Sequence, residues 1–121
     1  MAKKILVVDD EEDARALIKT VLEDGGYEVT EAKGGKEGLA MLKKKKFNLI
    51  LIDFFMPGMT GRDLAEAIRK DKKTKTTKFV FLTVATFGKK GHEELKILGS
   101  LDYIQKPFDN EDFLKRIKKI I

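Results

Sequence analysis

Residues 49–58 read Leu-Ile-Leu-Ile-Asp-Phe-Phe-Met-Pro-Gly. Four apolar residues stand in an unbroken row, a carboxylate follows, and Pro-Gly marks a turn. A half-exposed strand would alternate apolar and polar residues. A continuous run of this kind, bounded by turn residues, is how a strand covered on both faces reads. The pattern recurs at residues 5–8 (Ile-Leu-Val-Val), which run into Asp9-Asp10, and at residues 79–82 (Phe-Val-Phe-Leu), which run into Thr83. Weaker strands are predicted at 27–31 and 101–104.

Between these runs the apolar spacing becomes helical. Ala14, Leu17, Ile18, Val21 and Leu22 fall on one helical stripe, which Gly25-Gly26 ends. Further helices are predicted over 36–45, with Leu39 and Leu42 inward, and over 61–70, with Leu64, Ala67 and Ile68 inward. A fourth covers 89–98, its start weakened by Gly88 and Gly91. The last covers 110–120, with Asp109 as N-cap and Phe113, Leu114, Ile117 and Ile121 inward. Gly34-Gly35-Lys36 lacks the spacing of a phosphate loop and reads as a turn and helix start. Strand and helix therefore alternate five times. That pattern implies a parallel sheet with helices on both faces, and right-handed crossovers make it doubly wound. Ligands in such sheets bind outside the carboxyl ends of the strands, where the strand order reverses.

The 121 residues suit one domain, 1–121, which can bury roughly two-thirds of its unfolded surface. With no Cys, disulfide scaffolds, Cys-zinc sites and thiol catalysis are excluded. The one His, His92, reads as a surface residue and cannot build a His-rich metal site. No apolar run approaches the roughly 20 residues of a membrane span, and no signal peptide is recognisable. The cytoplasm is the expected compartment, and no membrane partner is expected. The net charge is +5, with 21 Lys among 25 basic residues. Six of the 20 acids (Asp9, Asp10, Glu11, Glu12, Asp13 and Asp53) gather at one corner, leaving a Lys-rich body. No helix-turn-helix or aromatic RNA-binding motif accompanies that charge, so no direct nucleic-acid contact is expected. Solubility, heat adaptation or an acidic protein partner would each account for it.

The strand ends carry the chemistry. The first strand runs out into Asp9-Asp10, the third ends at Asp53, the fourth ends at Thr83, and Lys106-Pro107 follows the fifth. Three carboxylates at one edge repel one another unless a cation joins them. Oxygen ligands without His or Cys favour a hard ion, and a shallow site with room for water suits Mg²⁺. A carboxylate beside such an ion can act as a nucleophile toward phosphorus and form an aspartyl phosphate. Thr83 and Lys106 would hydrogen-bond and neutralise the phosphoryl oxygens.

These pieces, in this order, resemble the receiver domain of two-component response regulators, and more closely a stand-alone, chemotaxis-type regulator. The resemblance spans essentially the whole chain. It is carried by Ile5–Asp10, Asp53 with Met56-Pro57-Gly58-Met59 and Gly61, Thr83, and residues 103–108 (Tyr-Ile-Gln-Lys-Pro-Phe). It implies a flavodoxin-like fold, with strand order 2-1-3-4-5 and five helices. Asp53 would accept a phosphoryl group from a histidine kinase. Asp10 and Asp53 would ligate Mg²⁺, with the Phe55 backbone carbonyl as a further ligand and Asp9 assisting through water or hydrogen bonds. Thr83 would move toward the phosphoryl group, Lys106 would pair with it, and Tyr103 would change rotamer. The face from the fourth helix through the fifth strand to the fifth helix would then bind a partner. The resemblance makes the protein a signalling phosphoacceptor that assists its own phosphorylation and dephosphorylation, rather than an enzyme.

Two positions depart from the family pattern at the site. Val84 stands where a small residue is usual, and Phe55 is bulky, so slow loss of phosphate is expected. Leu101 replaces a usually polar residue without a functional explanation. Other functions compete. A phosphorelay intermediate would pass the phosphate to a downstream His on another protein. A haloacid-dehalogenase-like phosphatase also uses an Asp nucleophile, but places it on the first strand as D-x-D, whereas Asp9-Asp10 are adjacent. A receiver acting unphosphorylated would not need the intact acid set. The chain stops right after the fifth helix, so its output is expected to be protein–protein contact with a target or phosphotransfer protein.

Overall fold

The computed structural model describes residues 2–84 and 88–121. Strands and helices alternate as β1 (Lys4–Val8), α1 (Glu12–Asp24), β2 (Glu28–Ala32), α2 (Gly35–Lys44), β3 (Leu49–Asp53), α3 (Gly61–Lys70), β4 (Phe79–Thr83), α4 (Lys89–Leu98), β5 (Tyr103–Gln105) and α5 (Asn110–Ile120). Every strand pairs in parallel with its neighbours, in the order β2-β1-β3-β4-β5. This is the doubly wound sheet that the alternation implied.

Each central strand sends successive side chains into opposite cores, which is why its sequence is apolar throughout. Ile5, Val7, Leu49, Leu51, Val80 and Leu82 pack with Ile18, Leu22, Phe113 and Ile117 of α1 and α5. Leu6, Val8, Ile50, Ile52, Phe79 and Phe81 pack on the other face with Leu42, Leu64, Ile68 and Leu95 of α2, α3 and α4.

β3 and β4 do end at Asp53 and Thr83, as the sequence predicts. Some other boundaries differ from expectation. β2 is displaced by one residue, and β5 begins at Tyr103 rather than at 101. The Ser100 hydroxyl accepts the Phe81 N–H at 3.4 Å and donates to the Asp102 carbonyl at 2.6 Å, so a side chain stands where β4 would pair with the residue before β5. On α1 the buried face takes in Arg15 in place of Leu17. Arg15, Ile18, Val21 and Leu22 are buried, whereas Leu17 is 62% exposed. Ala14 stays half-buried, so of the expected stripe only Leu17 turns outward, while Arg15 is buried with partners for its charge. On α3, Ala65 rather than Ala67 joins Leu64 and Ile68 in the core.

α3 is seated against the end of β3. The Thr60 hydroxyl accepts the Asp63 N–H at 3.1 Å while the Asp63 carboxylate accepts the Thr60 N–H at 3.0 Å, a reciprocal cap that fixes the helix start. Gly61 N–H then donates to the Phe54 carbonyl at 2.9 Å. A Cβ on Gly61 would lie 2.5 Å from the Asp53 carbonyl oxygen and 2.7 Å from the Phe54 Cα, both backbone atoms that cannot swing aside. Gly61→Ala is therefore expected to cost about 3 kcal/mol, read as a lower urea midpoint at unchanged m. A cost under about 0.5 kcal/mol would mean that the helix slides freely past the strand end.

Candidate functional site

The sheet brings one polar group after another to its carboxyl edge. β1 and β3 are neighbours, with Val8 beside Ile52, so Asp9 and Asp53 leave adjacent strands at the same level. β4 lies on the far side of β3, and its last residue is Thr83. The ladder continues past the strands through Phe54 N–H to Leu82 O at 3.0 Å and Lys106 N–H to Thr83 O at 2.7 Å. These bonds hold the backbone of Asp53 and Lys106 in place. The Lys106–Pro107 peptide is cis. The helix connections diverge to opposite faces of the sheet at β1 and β3, so the edge there is the switch point.

Asp9 is 1% exposed. Its Oδ2 accepts from Lys106 Nζ at 2.8 Å, and its Oδ1 accepts the Glu11 N–H at 2.9 Å. Lys106 Nζ also lies 3.7 Å from Asp53 Oδ2, so one ammonium bridges two carboxylates. Asp53 Oδ1 faces the Phe55 N–H at 3.4 Å. Carboxylate oxygens of Asp9, Asp10 and Asp53 all lie within 4.8 Å of one another, with Asp10 exposed at the mouth. Burial pushes the Asp53 carboxyl up to about 6; Lys106 draws it down, the Asp9 charge raises it, and the Phe55 N–H lowers it. Lys106 offsets only one of three negative charges. The donors are all oxygen and one side of the cluster faces water. That set fits a small hard divalent cation such as Mg²⁺.

The remaining expected residues are placed as follows. Thr83 is fully buried at the end of β4. Tyr103 is half-buried on β5 beside Phe81, with its ring edge-on to His92 at 5.0 Å between centroids. His92 is exposed on α4. Val84 and Phe55 are 71% and 53% exposed, next to the strand ends that carry Thr83 and Asp53.

The sequence reading missed Arg15. Its Nη1 donates to the Asp9 carbonyl oxygen at 2.8 Å, and its Nε donates to Glu31 Oε1 at 3.1 Å. It thereby pins the turn that carries Asp9 and Asp10. The available signal was spacing: Arg15 precedes Ile18 by three and Leu22 by seven, on the core stripe of α1.

Comparison with known proteins agrees with this arrangement. The family model described as response regulator receiver domain matches residues 5–118. The phosphate regulon transcriptional regulatory protein PhoB of Pseudomonas aeruginosa is 36% identical over 125 aligned residues, which cover 100% of this chain and 52% of PhoB. The transcriptional regulatory protein ResD of Bacillus subtilis is 36% identical over 98% of this chain and 48% of its own length. The chain thus spans about half the length of the curated relatives it matches. Among solved structures, the chemotaxis protein CheY4 of Vibrio cholerae superposes with a TM-score of 0.92 at 35% identity, with both chains covered completely. The response regulator TrrA of Thermotoga maritima, solved with Mg²⁺ and BeF, gives a TM-score of 0.85 at 34% identity, covering 98% of this chain and 99% of TrrA. With the sheet order, the acidic cluster and a family match running from β1 into α5, the chain belongs to the response regulator receiver domain family.

Proposed function

We propose that Asp53 is the residue that takes the phosphoryl group and that the whole chain, 1–121, works as one receiver domain. The observation that carries this reading is Lys106 Nζ standing 2.8 Å from Asp9 and 3.7 Å from Asp53 inside a cluster of three carboxylates at the switch point. The donor is a phosphohistidine of a histidine kinase, and the recipient of the signal is a downstream target protein.

In the transfer, an Asp53 carboxylate oxygen forms a bond to phosphorus as the phosphorus–nitrogen bond of the donor breaks. The electron pair leaves with the imidazole, which keeps or takes up a proton from water. The product is a mixed anhydride at Asp53. Asp9, Asp10, Asp53 and the backbone carbonyl of Phe55 would hold Mg²⁺, which supplies neutralising charge to the phosphoryl oxygens. That Mg²⁺ and a beryllofluoride were found with the Thermotoga TrrA supports this choice of ion. Lys106 moves its charge toward the added phosphoryl oxygens, and Thr83 donates a hydroxyl hydrogen bond to them. Both contacts exist only in the phosphorylated state, so they bias β4 and the half-buried Tyr103 toward a second arrangement. The face formed by α4, β5 and α5 presents that change to the target. No helix among the described residues is long and apolar enough to cross a membrane.

The test is incubation with Mg²⁺ and acetyl phosphate followed by intact-mass measurement. One phosphoryl group is expected on the native chain and none on Asp53→Asn. An adduct that persists in Asp53→Asn would mean that the acceptor lies elsewhere.

The same adduct reports its lifetime after desalting. Val84 and Phe55 are apolar and flank the site, so water should reach the anhydride poorly and phosphate loss should take minutes or longer. Decay within seconds, or no acceleration in Val84→Ala, would remove this role from the two side chains.

A further inference from the structure

At the edge of the sheet opposite Asp53, where the strands begin, lies a groove of about 1060 Å³. Ten lysines line it: Lys3, the run 43–46, the pairs 72–73 and 118–119, and Lys78; arginine and carboxylate side chains are absent from the lining. Among the described residues, one of the ten reaches a carboxylate, Lys43 at 3.9 Å from Asp71. Ten like charges around one groove repel, and helix ends account for only some of them. Lys43 and Lys44 occupy the last turn of α2 and Lys118 and Lys119 that of α5, where cations complement the helix dipole. Lys78 Nζ donates to the Ile120 carbonyl at 3.2 Å. Lys3, Lys45, Lys46, Lys72 and Lys73 lie outside the helices and are all exposed.

The lining also has an apolar part. Leu42 is buried, and Phe47, Ile120 and Ile121 are half-buried, so they sit deeper than the exposed lysines. A DNA duplex shows phosphate and sugar on its outside and offers these apolar side chains little. The groove lacks arginine, whose planar fork matches phosphate and carboxylate alike, so its anions need no bidentate fit. Lysines act as mobile point charges and suit carboxylates at loosely defined positions. We propose that this groove binds an acidic, amphipathic segment of a partner protein, with apolar side chains on Leu42, Phe47 and Ile120 and carboxylates on the surrounding lysines. β3 is five residues long, so the groove and Asp53 stand about 15 Å apart on opposite edges. A segment docked there leaves Asp53 uncovered. It would raise the local concentration of the partner whatever the phosphorylation state.

The test uses the full chain labelled for NMR, with three probes at about 50 mM salt. They are a peptide alternating Glu with Leu, a Glu-only peptide of equal length, and a DNA duplex. The alternating peptide should bind about tenfold more tightly than either other probe. Its shift changes should be confined to residues 42–48, 72–78 and 118–121. Lys45→Glu with Lys46→Glu and Lys73→Glu, all exposed positions, should lose about tenfold in affinity at an unchanged melting temperature. Equal binding of all three probes would reduce the groove to a generic cationic surface and overturn the proposal. Preference for the duplex, absence of binding, or unaltered affinity in the charge-reversed chain would overturn it as well.

Discussion

Lys106→Met is expected to destabilise the metal-free protein by about 3 kcal/mol at neutral pH. Methionine keeps most of the apolar stem, so the change removes chiefly the charge. Asp9 is 1% exposed and holds Lys106 Nζ at 2.8 Å, with Asp53 at 3.7 Å on the other side of the same ammonium. Without it, two carboxylates face each other in a poorly solvated corner. The loss depends on pH, with a definite sign. Asp53 in the folded chain already titrates near 6, raised from 3.8 by burial, so the folded state binds its proton more readily than the unfolded state does. Between those values, stability rises as pH falls. Removing Lys106 raises the folded value further. The penalty should therefore be full at about pH 7.5 and much smaller at about pH 5. Asp53→Asn should do the opposite, stabilising the metal-free protein by about 2 kcal/mol at neutral pH and by little below about pH 4. Urea denaturation at both pH values, with and without Mg²⁺, checks the set. A Lys106→Met loss independent of pH, or an Asp53→Asn chain less stable than the native one at neutral pH, would break this account of the cluster.

The fold was legible because three strands carry the same unmistakable pattern. Residues 5–8, 49–52 and 79–82 are apolar without alternation, and each serves two cores at once. The residues that follow them are the polar ones, so the strand-end cluster of Asp9, Asp10 and Asp53 could be read before any coordinate was known. Less legible were the places where a polar group overrides the local pattern. Ser100 ends the pairing before β5 by placing its hydroxyl between the Phe81 N–H and the Asp102 carbonyl. The Asp102 carboxylate accepts from Arg116 Nε at 2.8 Å and Nη2 at 2.7 Å, a long-range pairing that no spacing discloses. Burial pushes the Asp102 carboxyl up, but the hydrogen bonds from Arg116 and the Tyr103 N–H, with the Arg116 charge, bring it below the usual range. The basic groove was equally hidden. Its lysines come from segments far apart in sequence, and they converge only because the helices of a doubly wound sheet end at the edge where its strands begin.

Arg15 is the clearest case of a residue whose placement sequence periodicity misjudged. Arg15→Met is expected to weaken Mg²⁺ binding about tenfold and to cost about 2 kcal/mol of stability. Its Nη1 bond to the Asp9 carbonyl at 2.8 Å is charge-assisted and buried, and it fixes the peptide that leads into Asp10. Glu31, at 3.1 Å from Nε, holds the guanidinium from the β2 side. The two effects of removing Arg15 on a cation have opposite signs, which makes the measurement decisive. Loss of a positive charge near the cluster would by Coulomb attraction strengthen Mg²⁺ binding. Loss of the Asp9 anchor lets the Asp9-Asp10 turn loosen and weakens it. Calorimetric titration of folded protein separates this from stability. Glu31→Gln keeps the Asp9 bond and should weaken affinity less than Arg15→Met does. Arg15→Lys keeps the charge but cannot reach both acceptors with one fork, so it should weaken binding too. Unchanged or tighter Mg²⁺ binding in Arg15→Met would show that Arg15 stabilises the fold and does not position the acidic turn.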